Sequence, residues 1–430
     1  MGSHGRRYRA LLVNPPVYDF AAYNLWAKPF GLLKVAELIS GYGFDVSLID
    51  CMEAYLPKRY GTGKYIFTVV DKPQVLRDFP GLYKRYGMPE KEFLERVRAC
   101  GPVDLVLVTS QMTYWYPGVG EAIETVRKAL RRVPIILGGF YATIYPDHAK
   151  TLGADFVWRG EVGEDFIEFL KGLGFKPRRT EGKRYWEFGR RWPFGIIMTS
   201  KGCPFRCPYC ATPLLRGDFE GRPLREVLDE LLAYRELRVK DIAFYDDALL
   251  VNPERHIKPL LREVARMDLG FRFHTPNGLH PRFIDGELAR LFEACGFETL
   301  RLSYESVNPE RQSGKVTTED LRRAIEELEH AGFPRRRIGV YLMYGLPGQP
   351  IDEVWQGVRF LMELGVRIHL AEFSPIRGTP YWQKLVREKK IPDDMDPLLT
   401  NNSVFSFLFW EEGERIRELK LRVRRYNQGL

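Results

Sequence analysis

Short apolar runs alternating with helical patterns divide the chain into two halves. In the first half, residues 9–13 read as a strand that Asn14-Pro15-Pro16 stops, since proline offers no N–H to a ladder. Residues 31–42 set Leu32, Leu33, Val35, Ala36, Leu38 and Ile39 on one helix face, and Gly43 ends it. Further strands are expected at 44–50, 104–109, 134–137 and 154–158, with helices at 118–131 and 163–173. This alternation predicts an α/β domain, a Rossmann-like, doubly wound parallel sheet. The second half repeats the theme with strands at 194–199, 241–245, 271–275, 299–304, 338–343 and 368–373. Helices at 224–237, 254–265, 286–294, 318–331 and 351–364 lie between them, which predicts a partial (β/α)6 TIM-type barrel.

The expected organisation is a first domain over 1–175, a polar basic linker over 176–192, the barrel over 193–385, and a C-terminal extension over 386–430. Residues 52–98 interrupt the first domain with a Tyr-, Lys- and Pro-rich insertion, too aromatic for a tether; it reads as an active-site cap or an oligomer contact. The aromatic run 405–410 reads as a strand or helix packed on the barrel. The net charge of +9 suits an anionic partner, whether a small-molecule substrate, a lipid or a nucleic acid, although no nucleic-acid-binding motif is visible. Interleaved acidic residues equally suit a plain solvated surface. No run of about eighteen apolar residues is present, so no membrane span is expected. The opening Met1-Gly2-Ser3-His4 has no apolar signal-peptide core, and the expected location is the cytoplasm. Cys51, Cys100 and Cys295 are scattered without a disulfide framework, as in a reducing compartment.

The remaining cysteines, Cys203, Cys207 and Cys210, form a C-x3-C-x2-C loop directly after the first barrel strand. Thiolates at such intervals can hold an iron–sulfur cluster, and three ligands leave one iron of a four-iron cluster open as a reaction site. The rival reading, buried or zinc-binding thiols, lacks a nearby fourth ligand, the next histidine downstream being His256. Ligands of open α/β sheets and of barrels sit beyond the carboxyl ends of the strands. In the first half those positions carry Asn14, Thr109-Ser110, Gly138-Gly139 and Gly160-Glu161. Paired glycines admit a bulky flat ligand, and the hydroxyls can bond a nucleotide tail. Tyr114-Trp115-Tyr116 could line such a ligand or be plain core. In the second half they carry Asp246-Asp247, Asn277-Gly278, Glu305-Ser306 and Gly345-Leu346-Pro347-Gly348; one of the aspartates reads equally well as a helix N-cap.

The cysteine loop, with Tyr209 before its last cysteine, resembles the signature of radical S-adenosylmethionine (SAM) enzymes. Asn14-Pro15-Pro16, the G-L-L-x-x-A-E-L helix, Gly138-Gly139 and the G-E-x-G-E stretch at 160–164 are similar to the cobalamin-binding domain of the B12-dependent members. The resemblance implies a [4Fe-4S] cluster on Cys203, Cys207 and Cys210. It also implies SAM held near Tyr209, Asp246, Asp247, Asn277, Glu305, Ser306 and Gly345. Cobalamin would lie near Asn14, Thr109, Ser110, Gly138, Gly139, Gly160 and Glu161. In place of the family's Gly-Gly-Glu-like SAM motif stands Tyr245-Asp246-Asp247. The Asp-x-His-x-x-Gly stretch of many cobalamin carriers is absent, so no histidine is expected beneath the cobalt, and His148 reads as a surface or helix-start residue. The implied activity is methyl transfer from methylcobalamin to a carbon or phosphorus centre through a 5′-deoxyadenosyl radical, with a flavodoxin- or ferredoxin-type electron donor. The alternatives are a non-methylating rearrangement, cyclisation or reduction, methylthiotransfer, and a non-catalytic corrinoid sensor. Methylthiotransfer would need a second three-cysteine cluster, and the first half supplies only Cys51 and Cys100.

Overall fold

A computed structural model describes residues 7–188, 192–410 and 412–430. Met1–His4 and the end of the expected linker, 189–191, lie outside the described residues. The chain forms two compact units, Met1–Trp192 with Asp396–Leu399, and Pro193–Met395 with Thr400–Leu430.

In the first unit five strands form one parallel sheet: Tyr8–Asn14 (β1), Phe44–Asp50 (β2), Leu105–Val108 (β3), Ile135–Leu137 (β4) and Phe156–Val157 (β5). Their spatial order is β5-β4-β3-β1-β2. The direction of winding therefore reverses between β1 and β3, the switch point at which open α/β sheets bind ligands. Leu11, Leu12 and Val13 of β1 and all four residues of β3 are buried, as the continuous apolar runs require of a sheet covered on both faces. Helix Phe30–Ser40 buries Leu32, Leu33, Ala36 and Ile39, and Gly43 takes the left-handed φ of +82° that turns the chain into β2.

The expected insertion has its own structure, and residues before it take part. Val17–Asp19, Lys84–Tyr86 and Phe67–Val69 form one small antiparallel sheet; Tyr23–Asn24, Gly63–Tyr65 and Tyr55–Pro57 form another. The stretch 17–24 carried no strand signal in isolation, because its pairing partners lie about forty to seventy residues on. The buried pair Arg85–Glu121 ties the insertion to helix Tyr116–Ala129, with Tyr18 donating to the same carboxylate at 2.7 Å.

The segment expected as a linker is bound to the first unit as far as it is described. Thr180 N–H donates to the Gly41 carbonyl at 2.8 Å, Lys183 N–H donates to Ser40 Oγ at 2.9 Å, and Tyr185 is fully buried. Its polar composition gave no sign of this, since the bonds run through backbone groups.

In the second unit six parallel strands stand in chain order: Gly195–Ile197 (β6), Asp241–Phe244 (β7), Arg272–His274 (β8), Phe297–Glu305 (β9), Ile338–Tyr344 (β10) and Arg367–Glu372 (β11). Helices Leu224–Glu236, Ile257–Met267, Gly286–Ala294, Thr318–His330 and Ile351–Glu363 connect them. The second helix starts at Ile257, and neither Asp246 nor Asp247 caps it. The extension forms helices Asn402–Phe409 and Gly413–Gly429. Asn427 bonds both the N–H and the C=O of Ile368, so the last helix covers edge strand β11.

Candidate functional site

The cysteine loop leaves β6 and is closed at its base by Ser200–Lys201 pairing with Glu220–Gly221. Gly202 has φ +72°, and a Cβ there would fall 2.1 Å from the Asp218 carbonyl oxygen, so only glycine fits. Gly202 N–H donates to Asp247 Oδ2 at 3.0 Å and Cys203 N–H to the Gly217 carbonyl at 3.1 Å. Phe205 stacks on His280, with centroids 4.2 Å apart and planes 22° apart. The Cys207 thiol is buried beside the Gln312 carbonyl, and Thr212 N–H donates to Cys210 Sγ at 3.4 Å. Burial raises the Cys203 and Cys207 thiols above their ordinary pKa, against the pull of the nearby Lys315 ammonium. A bound metal reverses that balance, because it displaces the thiol proton outright. Among the described residues no three His, Cys, Asp or Glu side chains converge as one metal ion requires. A cubane asks for something else, three separate thiolates on three separate irons, and this donor set fits it.

Around the loop, the carboxyl ends of the six parallel strands bring most of the other expected residues. Asp246 is buried, and its Oδ1 accepts from Thr199 N, Thr199 Oγ1 and Ser200 Oγ at 3.0, 2.7 and 2.7 Å. Its Oδ2 has no partner among the described residues, and burial raises its pKa. A cavity of about 10 Å³ touches Asp246, Thr275, Asn277 and Gly278. Asn277 Nδ2 donates to the Asp246 carbonyl at 3.0 Å. Asp247 is committed to the loop through Gly202, with Arg216 3.6 Å away. Glu305 ends β9 at a bulge with φ +63° and lies 3.7 Å from Lys315. Its charge also reaches Tyr209, whose buried hydroxyl lies beside the Cys207 thiol. Ser306 instead donates to Glu353 at 2.6 Å, a carboxylate that Arg311 also grips. Gly345 has φ +82° and sits against Ser406 and Trp410 of the tail. Lys315 and Gln312 carried no signal in the sequence, because the segment after β9 brings them to the cysteines from about a hundred residues away.

In the first unit the expected residues are joined less directly. Ser110 Oγ donates to the Gly138 carbonyl at 2.6 Å and accepts from Ala142 N–H, so its hydroxyl ties two loops together. Gly139 has φ +97°, and its Cβ would fall 2.1 Å from the Ser110 carbonyl; beside Gly138 the nearest atom is 4.0 Å away. Gly160 is open to solvent, its N–H donating to Thr143 Oγ1 at 3.0 Å, and Glu161 is exposed. Thr109 N–H donates to the Val13 carbonyl, continuing the β1–β3 pairing at the switch point. Asn14 turns the other way, donating to Asp50 on β2 at 2.6 Å. A cavity of about 400 Å³ opens on that outer side, lined by Ser47, Asp50, Arg96, Cys100 and Phe188 among others, and by none of the glycines. His148 is half-buried in the short helix Pro146–Lys150, its Nδ1 2.5 Å from the Tyr141 hydroxyl. Trp115 Nε1 donates to Asp19 at 2.6 Å and Tyr116 to Asp396 at 3.3 Å, so these rings are anchored by their polar ends.

Residues 197–361 match the model of the radical SAM superfamily. An uncharacterized methyltransferase of Pyrococcus horikoshii is 28% identical over 44% of this chain, and the match spans 42% of that protein's length. The cytidylyl-2-hydroxyethylphosphonate methyltransferase of Streptomyces wedmorensis is 21% identical over 98% of this chain and 90% of its own. The fold resembles the radical SAM methyltransferase TsrM of Kitasatospora setae, solved with cobalamin and a [4Fe-4S] cluster. That likeness has a TM-score of 0.65 and 20% identity, covering 89% of this chain and 78% of that one.

Proposed function

We propose, from a radical SAM region over residues 197–361, that the protein is a cobalamin-dependent radical SAM methyltransferase acting on an unactivated carbon or phosphorus centre. The observation that carries the reading is the glycine-hinged loop presenting Cys203, Cys207 and Cys210 at the carboxyl end of a six-stranded parallel barrel. When bound, a [4Fe-4S] cluster with SAM supplies hydrogen-abstracting radical chemistry and a corrinoid supplies the methyl group, which no side chain can do.

The chain's own residues hold, orient and shield. Cys203, Cys207 and Cys210 would be the iron ligands, with Thr212 N–H donating to the outermost sulfur. The unpaired Oδ2 of Asp246 is the free polar atom suited to SAM, since buried polar groups rarely stay unmatched, and Tyr209 belongs to the site through its contact with Cys207. Asn277, Glu305 and Gly345 stand at neighbouring strand ends. Asp247 and Ser306 act at one remove, by fixing the cysteine loop and the Glu353–Arg311 pair. For the corrinoid, the switch point between β1 and β3 is the place, with Thr109, Gly138, Gly160 and Glu161 at its rim. Ser110 and Gly139 shape that rim through their mutual contact, and Asn14 through Asp50. Ser406 and Trp410 of the tail pack against Gly345 at the carboxyl end of β10, which limits water at the reacting end, while Asn427 covers the opposite end of β11.

The test is anaerobic purification of the full chain with iron, sulfide and corrinoid analysis, followed by SAM and a strong reductant. The reading expects 5′-deoxyadenosine from SAM, and with substrate a product heavier by one methylene together with S-adenosylhomocysteine. Intact SAM after reduction of cluster-loaded protein would sink it. Cleavage without any methylated product, corrinoid being present, would move the reading to non-methylating radical chemistry.

A further inference from the structure

The inner face of the barrel carries positive charge that no carboxylate among the described residues neutralises. Side chains alternate along strands, so one face can be assigned from contacts on the other. Leu342 packs on Gly357 and the Tyr304 ring on Phe360, both in helix Ile351–Glu363, so their set faces the helices. Arg301 on β9, Gly339 and Tyr341 on β10, and Arg367 and His369 on β11 belong to the opposite set. Arg301, Gly339 and Arg367 lie in one register row, and Tyr341 is in register with His369. Gly339 leaves the middle of that row empty. A Cβ there would fall 2.7 Å from Arg301 Nη1 and 2.7 Å from His369 Nε2, so both nitrogens converge on one spot.

Among the described residues, none of these groups is matched by a carboxylate. The acids along the barrel strands are taken: Asp241 by Arg272 and His274, Glu298 by Arg337, Glu305 by Lys315, Glu372 by Lys420. Among the described residues no ion pair reaches Arg301 or Arg367, and His369 Nε2 is buried without a partner. The Tyr341 hydroxyl donates to the Pro276 carbonyl at 2.7 Å and accepts from Arg301, whose Nη1 also donates to the Leu300 carbonyl at 3.3 Å; these neutral partners leave the guanidinium's charge unmatched. Two guanidiniums and an imidazole drawn together without an anion are costly unless one arrives from outside.

We propose that Arg301, Arg367 and His369 form an oxyanion subsite inside the barrel, holding a carboxylate or phosphate of the substrate. The substrate class rests on the methyltransferase reading above. Arg301 sits four residues before the end of β9, and at about 3.3 Å per residue the anion lies on the order of 10 Å below the strand ends. The subsite thus sets a length: the substrate's anionic group and its reacting atom are separated by about that distance.

The test titrates cluster-loaded full-length protein with inorganic phosphate and, separately, with succinate, at constant ionic strength in a calorimeter. Saturable one-to-one binding of at least one probe is expected, and the preferred probe identifies the oxyanion. Arg301→Gln should weaken it at least tenfold, Arg301→Lys less, because lysine keeps the charge and loses the planar fork. Arg337→Gln, whose guanidinium is paired with Glu298, should leave it unchanged. Arg367→Gln serves as the readout where Arg301→Gln does not fold to the same circular dichroism. No saturation by either probe, or equal affinity in wild type and the Arg301 and Arg367 variants, overturns the subsite. SAM cleavage measured on the same wild-type sample separates the two claims. Cleavage without arginine-dependent binding defeats the subsite alone, whereas binding without cleavage defeats the methyltransferase reading and leaves an anion site.

Discussion

At Asp246 one carboxylate oxygen takes three donors and the other takes none, an imbalance that a single buried residue sustains only beside a ligand or at a cost. The cysteines nearby are the residues whose role was most legible in sequence, because a cluster loop is local: its ligands lie within eight positions of each other. Cys203→Ala, Cys207→Ala or Cys210→Ala is expected to remove cluster iron and to reduce SAM cleavage to background. Iron analysis and chromatography of 5′-deoxyadenosine check it, and full turnover in any one variant would refute the assignment. Lys315, beside two of those thiols, was invisible beforehand, since it reaches them from more than a hundred residues away. Ser110 and Ser306 show the converse. Their type and position suggested ligand contacts, and their hydroxyls proved to be bonded within the protein.

Elements followed the hydrophobic pattern closely wherever a strand was continuous or a helix face was clean, as at Phe44–Asp50, Gly286–Ala294 and Ile338–Tyr344. They departed from it where pairing is remote, as in the two small sheets that recruit Val17–Asp19 and Tyr23–Asn24. The neighbouring glycines between β4 and its helix separate two roles. Gly139→Ala combines positive φ with a backbone clash and should destabilise by about 2–4 kcal/mol. Gly138→Leu should keep the fold and lower corrinoid content at least severalfold. Thermal melts and corrinoid absorbance read the two effects, and unchanged corrinoid in Gly138→Leu would remove that glycine from the rim. Holding the insertion in place, Glu121→Gln should cost about 3 kcal/mol, because Arg85 keeps its charge with only 7% of its side chain exposed. Denaturant unfolding tests this; a loss below about 1 kcal/mol would mean that water reaches Arg85.

Across the molecule, burial holds several histidines neutral: His256 is lowered to about 4 and His369 to about 3. Below about pH 6.5 the unfolded chain takes up protons that these folded rings refuse, so their contribution is full above that pH and is lost as pH falls toward 4. Each histidine then costs about 1.4 kcal/mol per pH unit. The melting temperature should be flat from pH 8 to 7 and fall between 6.5 and 4.5, with a shallower fall in His256→Gln; an unchanged slope in that variant would clear His256 of the effect. No helix among the described residues is long and apolar enough to cross a membrane. What the sequence by itself determined was the alternation of strand and helix, the two parallel sheets and the thiol loop, because each is written in spacings shorter than about fifteen residues. The tertiary structure alone decided which polar atoms are spent and which are free, that Gly139 and Gly202 are demanded by backbone contacts, that the expected linker belongs to the first unit, and that Arg301 and His369 meet at Gly339 with Arg367 in the same register row. Those are matters of distance between segments far apart in the chain, and side-chain periodicity holds no record of them.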